Sequence, residues 1–83
     1  MKFQVKYSEN AAEQMKKLDG SVRLQIIKRI ERLAENPLLA KPLSNELKNY
    51  RGERIGKYRI VFSIIEGNII IARIAHRKTA YFL

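Results

Sequence analysis

Two strands joined by a tight turn are predicted by residues 58–75, which read YRIVFSIIEGNIIIARIA. In the first half, large apolar residues alternate with Arg59, Val61 and Ser63, and this period of two is typical of a strand with two different faces. Glu66-Gly67-Asn68 is a turn signal between two apolar runs. The second half begins with isoleucines and is apolar on both faces, which indicates a strand inside the sheet. This hairpin is therefore the predicted centre of the fold.

Further strands are predicted on both sides of the hairpin. Residues 47–55 precede the Gly56 turn, and we expect them to form an antiparallel strand beside the hairpin. Residues 79–83 are expected to add a short final strand or a lid. At the other end of the chain, residues 3–7 alternate apolar and polar side chains, which predicts a short strand with Phe3, Val5 and Tyr7 on its buried face.

Two helices are predicted between these strands. Ser8 or Asn10 is a suitable N-cap for a helix that reaches Leu18, and Asp19-Gly20-Ser21 then breaks it. Residues 22–34 carry apolar side chains at helical spacing, which predicts a second helix with one buried stripe. Its charged residues are expected to face away from that stripe: Arg23, Lys28, Arg29, Glu31, Arg32 and Glu35.

The predicted order of elements is β-α-α-β-β-β. Residues 37–47 contain two prolines and irregularly spaced apolar residues, so we expect a surface loop there. The chain of 83 residues is of the size of one domain, residues 1–83. The predicted class is α+β, with an N-terminal strand and a helical hairpin packed on one face of a small antiparallel sheet.

The charge of the chain points to a polyanionic partner. Lysine and arginine number 17 against 8 acidic residues, which gives a net charge of +9. Residues 48–83 carry eight of the basic and only two of the acidic side chains. Nucleic acid, an acidic protein and an anionic membrane all fit such a charge. Other features of the sequence are needed to distinguish these three kinds of partner.

Several classes of protein are excluded by composition. The chain has no cysteine, which excludes disulfide frameworks, zinc-thiolate sites and thiol nucleophiles. A single histidine cannot by itself build a metal site, so no cofactor or metal is expected. The apolar runs are far shorter than the ~20 residues that span a bilayer, and the N-terminal residues do not form an apolar leader. We therefore expect a cytoplasmic protein with no membrane partner.

Two segments carry a resemblance to a known family. Residues 47–62 read LKNYRGERIGKYRIVF, and residues 74–81 read IAHRKTAY. Together with the predicted order of elements, they resemble the RelE/ParE superfamily of toxins, and the resemblance covers nearly the whole chain. It implies a RelE-like fold and the toxin of a type II toxin–antitoxin pair.

The resemblance implies three alternative activities. RelE-type members are mRNA interferases that enter the ribosomal A site and cleave mRNA by attack of the ribose 2′-OH on the neighbouring phosphate, without a metal. ParE-type members instead inhibit DNA gyrase. The third alternative is a non-catalytic member that binds only RNA or its antitoxin. The implied partners are the ribosome with its mRNA and 16S ribosomal RNA, and an acidic RelB-like antitoxin that wraps the toxin in a hetero-oligomer.

The resemblance also suggests catalytic residues. Arg59 matches the strand arginine of the family and is expected to stabilise the transition state, since a guanidinium binds phosphate oxygens in a bidentate manner. Arg77 is a candidate for protonating or stabilising the leaving group, and Tyr81 for stacking on the substrate base. His76 is a further acid–base candidate, and Lys57 is expected to share the strand face of Arg59. Structural roles remain open for them, such as pairing of Arg59 with Glu53 or Glu66.

The sequence differs from the family at the position of the general base. RelE-type enzymes that use a lysine have it in the strand before Arg59, where no lysine aligns in this chain. Lys48, Lys57 and Glu53 are the candidates nearby. The remaining basic residues expected to contact RNA phosphates, or else to form an ordinary solvated surface, are Lys48, Arg51, Arg54 and Arg73.

Overall fold

A computed structural model describes residues 2–44 and 47–76. In chain order the described elements are β1 (Gln4–Tyr7), α1 (Glu9–Lys17), α2 (Gly20–Glu35), a single 3₁₀ turn (Pro37–Leu39), β2 (Lys41–Pro42), β3 (Arg51–Ile55), β4 (Tyr58–Ile65) and β5 (Asn68–His76). The strands form one sheet in the order β1-β5-β4-β3-β2. The predicted α+β class and the helical hairpin are confirmed.

The sheet is mixed, whereas the sequence predicted an antiparallel one. β2, β3, β4 and β5 pair in antiparallel fashion, but β1 lies parallel to β5, with Val5 opposite Ile69. This pairing joins segments more than 60 residues apart, so the periodicity of either segment does not reveal its direction. The prediction that β5 is an inner strand is confirmed, since β1 and β4 flank it.

The segment predicted as a surface loop also contributes to the sheet. Lys41 and Pro42 form β2, an edge strand that pairs with the start of β3. Proline lacks an N–H group, and an edge strand tolerates this because one of its sides has no partner strand. β3 is shorter than predicted and begins at Arg51. The residues before it close a turn through the bonds Leu47 N to Ser44 O and Tyr50 N to Leu47 O.

Polar side chains hold the two helices at their ends. Ser8 caps α1 by accepting a hydrogen bond from Ala11 N, as predicted. Asp19 caps α2 through Ser21 N, so the helix begins at Gly20, earlier than its apolar stripe indicated. Arg23 was expected to face solvent, but it donates to the last carbonyls of α1 at Met15 and Leu18 and fixes the helical hairpin.

The core lies between α2, α1 and one face of β4 and β5. Its buried members are Ala11, Ile26, Ile30, Leu33, Ala34, Ala40, Ile60, Phe62, Ile69, Ile71 and Ile74. Phe3, Val5 and Met15 are half-buried against this cluster. Tyr7 differs from the prediction, since it is 41% exposed at the end of β1. The residues predicted as a final strand, 79–83, lie outside the described residues.

Tight turns join the three longest strands. Glu66 and Gly67 link β4 to β5 with φ values of 46° and 78°, the pair of positive φ angles that type I′ hairpins require. Asn68 supports this turn by donating to the carbonyls of Ile65 and Glu66. Gly56 has a φ of 58° at the first position of the turn between β3 and β4, and this conformation costs glycine little. No described helix is long and apolar enough to cross a membrane.

Candidate nucleic-acid interface

Strand register decides which side chains face away from the helices. Ile60 lies opposite Ile74 and Glu53, and both isoleucines are buried in the core. Side chains alternate along a strand, so the neighbouring pair Arg54 and Arg59 lies on the other side of the sheet. Arg73 lies opposite Val61, on the same side as Arg59. We call the surface formed by Arg54, Arg59 and Arg73 the arginine face.

The arginine face brings like charges together. Arg54 and Arg59 are directly opposite each other on β3 and β4, where Cβ atoms are typically about 5 Å apart. Arg73 lies on β5 opposite the residue two positions after Arg59, so it is a diagonal neighbour of that arginine. Like charges directly opposite each other destabilise a sheet. An anionic ligand that contacts more than one of these guanidinium groups is stabilised by charge-assisted hydrogen bonds.

Two of the three arginines are partly shielded from water. Arg54 is exposed, whereas Arg59 and Arg73 are half-buried, and the Nε atoms of both are buried. Val61 lies on the same face and is fully buried, although it is outside the main core cluster. Charge–phosphate hydrogen bonds are stronger where water is excluded. The arginine face is therefore suited to bind and stabilise a phosphate group.

An irregularity in β5 sets the position of Arg73. Phe62 of β4 lies opposite Ile71, but its neighbour Val61 lies opposite Arg73, so Ala72 is an extra residue without a partner on β4. Such a β-bulge shifts the alternation of side chains by one position. Ile71 and Ile74 both point into the core as a result, and Arg73 between them points to the arginine face.

Glu53 lies on the helix side of the sheet. Its carboxylate forms an ion pair with the guanidinium of Arg29 on α2, and Arg29 also donates to the carbonyl of Arg54 at 3.3 Å. Arg29 was predicted to face solvent, and no periodicity in the sequence indicates its half-buried contact with β3. The carboxylate of Glu53 is thus held away from Arg59. Glu66, the other acidic residue predicted as a possible ion-pair partner of Arg59, lies in the turn at the far end of β4.

Two predicted phosphate contacts lie elsewhere. Arg51 is on the helix side of β3, and its guanidinium donates to the carbonyl of Ala40 at 2.9 Å. Lys48 is exposed in the turn before β3, at the opposite end of that strand from Arg54. The structure does not bring these two side chains to the arginine face.

The remaining candidates are spread over several places. Lys57 lies in the exposed turn between β3 and β4, so strand alternation does not determine its direction. His76 lies opposite Tyr58, and their rings meet edge to face with centroids 6.1 Å apart. Tyr58 packs against the core, so this pair belongs to the helix side. Arg77 and Tyr81 lie outside the described residues.

No group of three or more histidine, aspartate or glutamate side chains that could hold a metal ion occurs within residues 2–44 and 47–76. The described part of the arginine face offers guanidinium groups, which bind anions. Its chemistry is the electrostatic stabilisation of phosphate oxygens.

Comparison with known proteins identifies the family. The family model for the ParE toxin of type II toxin–antitoxin systems matches residues 5–81. The chain belongs to the RelE/ParE toxin superfamily. A putative RelE-like toxin protein of Escherichia coli is 30% identical to the toxin over 80 residues, which cover 94% of the toxin and 84% of that relative.

Solved structures share the fold of the toxin. A chain of the toxin–antitoxin complex RelBE2 from Mycobacterium tuberculosis superposes with a TM-score of 0.85 at 26% identity, over 93% of the toxin and 100% of that chain. The isolated RelE toxin of Escherichia coli superposes with a TM-score of 0.77 over 89% of the toxin and 83% of that chain. At 19% identity this second likeness concerns the fold alone.

Proposed function

We propose that the toxin is a ribosome-dependent endoribonuclease that cleaves mRNA in the A site and thereby inhibits translation. The observation that carries this proposal is the arginine face, where Arg54, Arg59 and Arg73 lie on neighbouring strands and on one side of the sheet. Guanidinium groups placed together in this way are suited to bind the phosphate oxygens of RNA. The likeness to RelE-type toxins in sequence and fold supports the same activity.

The reaction needs three contributions from the site. The 2′-oxygen bonds to phosphorus while the bond from phosphorus to the 5′-oxygen breaks, so a base takes the hydroxyl proton and an acid protonates the leaving oxygen. Negative charge grows on the phosphate oxygens in between, and cations placed in advance stabilise it. We assign this last role to Arg59, because it lies between Arg54 and Arg73 on the arginine face.

Proton transfer is assigned to the candidates that the family resemblance suggests. Lys57 is the proposed base, since Glu53 is held by Arg29 on the other side of the sheet. Arg77 and His76 are the proposed groups at the leaving oxygen, and Tyr81 is proposed to stack on the base. Arg54 and Arg73 are proposed to hold the flanking phosphates of the mRNA, with Lys48 as a more distant contact. Arg51 is not proposed as a phosphate contact, because its guanidinium donates a hydrogen bond to the carbonyl of Ala40.

Primer extension on programmed ribosomes tests this proposal. Purified toxin is added to ribosomes that carry a defined A-site codon, and the 3′ ends of the mRNA are mapped. Wild type is expected to cleave within that codon, and Arg59→Ala to cut about 10²–10³-fold more slowly, as when one group that stabilises the transition state is lost. Arg51→Ala is the matched control, since it removes an arginine on the opposite face. Intact mRNA with wild-type toxin would overturn the proposal.

A second candidate function is inhibition of DNA gyrase without catalysis. The observation that favours it is the match to the ParE family model over nearly the whole chain. A supercoiling assay with purified gyrase distinguishes the two candidates. Inhibition of gyrase that persists in Arg59→Ala, together with uncut mRNA, would establish the second function instead of the first.

The proposed partner that neutralises the toxin is an acidic, RelB-like antitoxin. The net charge of +9 favours an acidic segment, and the toxin has exposed apolar side chains such as Tyr7, Leu24 and Leu38 that a partner could cover. The structural relatives include the RelBE2 complex, in which a toxin is bound to its antitoxin. Co-expression of an acidic RelB-like antitoxin is expected to restore growth and to yield a stable complex on gel filtration. Separate elution of the two proteins would contradict this partner.

A further inference from the structure

The bulge at Ala72 occurs where β5 loses its neighbour. β1 pairs with β5 only as far as Tyr7 opposite Ile71. Beyond that point no described strand pairs with the outer edge of β5, and Ser8 and Gln14 bond to it instead. Backbone groups at a buried edge need other partners, since an unpaired buried N–H or C=O is costly.

Two side chains of the α1 region replace the missing strand. The Ser8 hydroxyl donates to the carbonyl of Ala72 at 2.9 Å, just after the backbone bond from Ser8 N to Ile71 O. Further along α1, the side-chain oxygen of Gln14 accepts a hydrogen bond from Ile74 N at 2.7 Å. These two bonds lie on either side of Arg73. The sequence predicts neither bond, because each joins residues that are 60 or more positions apart.

We propose that Gln14, together with Ser8, is a positioning residue that holds the bulge and so keeps Arg73 on the arginine face. Without the extra residue at Ala72, alternation from Ile71 would turn Arg73 toward the core. The Nε atom of Arg73 is buried and has no hydrogen-bond partner among the described residues, so its neighbours do not fix the guanidinium by that bond. The backbone at the bulge sets the face of the sheet to which the Arg73 side chain points. This inference rests on the proposed RNA-binding role of the arginine face.

Two pairs of variants test the role of Gln14. Gln14→Leu keeps the size of the side chain but removes the acceptor, and Gln14→Glu restores an acceptor. Gln25→Leu and Gln25→Glu are the matched controls, since Gln25 is an exposed glutamine on the other helix, α2. NMR hydrogen exchange at Ile74 N–H reports on the bond itself. We expect faster exchange in Gln14→Leu, recovery in Gln14→Glu, and no change in the Gln25 variants.

RNA binding shows whether the bond acts through Arg73. The probe is a short fluorescein-labelled single-stranded RNA, titrated at several KCl concentrations and followed by anisotropy. Arg73→Gln is expected to lower the slope of log K against log salt by about 0.7, the loss of one phosphate contact. Gln14→Leu is expected to weaken binding by about threefold in wild type and by less than about 1.5-fold in Arg73→Gln, because the two residues act as one unit. The Gln14→Glu variant, corrected by the Gln25→Glu control, is expected to regain the affinity.

The outcomes separate the two proposals. Equal loss of affinity from Gln14→Leu in the presence and absence of Arg73 would overturn the positioning role, since the effect would then be one of general stability. If wild type does not bind the free RNA, direct RNA binding by the arginine face fails, whereas ribosome-dependent cleavage is decided separately by primer extension. The positioning role is then decided by the Arg73 Nε–H resonance, which must shift in Gln14→Leu and stay unchanged in Gln25→Leu, or the inference is wrong.

Discussion

Arg51 and Arg54 lie on the same short strand, and their guanidinium groups serve opposite faces of the sheet. Arg51 binds the carbonyl of Ala40 on the helix side, at the end of the 3₁₀ turn. Arg54 lies opposite Arg59 on the arginine face and is exposed. Residue type alone makes the two equivalent as phosphate contacts. Their register on β3 makes one of them structural and leaves the other available to a ligand.

The variants Arg51→Gln and Arg54→Gln are therefore expected to have opposite phenotypes. Arg54→Gln should lower the salt slope of RNA binding by about 0.7 without a change in melting temperature. Arg51→Gln should leave that slope unchanged and reduce the free energy of unfolding by about 1 kcal/mol, because the hydrogen bond to Ala40 is lost. Anisotropy titrations and urea unfolding measure the two effects. A reduced salt slope in Arg51→Gln would show that Arg51 contacts the RNA after all.

At the scale of elements, α2 is capped at its N-terminus by the carboxylate of Asp19. Asp19 accepts hydrogen bonds from the hydroxyl and the backbone N–H of Ser21. The hydroxyl bond, followed by the backbone bond, lowers the pKa of Asp19 below its ordinary value of 3.8. The folded protein thus favours the ionised cap, and the positive end of the helix dipole does so too.

The stabilisation by Asp19 should disappear in acid. A group with a depressed folded pKa contributes fully above its unfolded pKa and loses that contribution as the pH falls through the folded pKa. We expect the stability of wild type to fall more steeply below pH 3.8 than that of Asp19→Asn, since asparagine caps a helix without titrating. Thermal melts of both proteins across this range make the comparison. Parallel pH profiles would mean that the ionised cap contributes nothing.

At the scale of the whole molecule, one ion pair couples the helical layer to the strand that carries Arg54. Arg29 on α2 binds the carboxylate of Glu53 and the carbonyl of Arg54. Both side chains of the pair are less than one third exposed, so the interaction is screened less than a surface pair. These two contacts of Arg29 hold α2 and β3 together.

Removal of Arg29 is expected to loosen this coupling. Arg29→Met should reduce the free energy of unfolding by about 1–2 kcal/mol, because a half-buried carboxylate loses its partner. Lys28→Met is the control, since this neighbouring cation is exposed. Urea unfolding measures both, and hydrogen exchange along β3 shows where the loss occurs. Equal stability of the two variants would indicate that the pair contributes no more than an ordinary surface contact.

Much of the fold follows from local patterns in the sequence. The apolar stripe of residues 22–34 predicts α2, and Ser8 and the Glu66-Gly67 turn mark element ends, because capping and turn chemistry act between near neighbours. β2 was not predicted, because a segment of two residues has no periodicity. Its strand geometry comes from pairing with β3. The parallel placement of β1 is likewise a matter of pairing between distant segments.

Local patterns of residues are enough to predict the α+β class, the helical hairpin, the central β4–β5 hairpin and the basic charge that points to a polyanion. Which basic residues share a surface is known only from the folded chain. Arg54, Arg59 and Arg73 converge because strand register and the bulge at Ala72 set their faces, whereas Arg51 and Glu53 turn to the helices. The physical reason is that side-chain direction along a strand depends on register, and register is fixed by contacts between residues far apart in the chain.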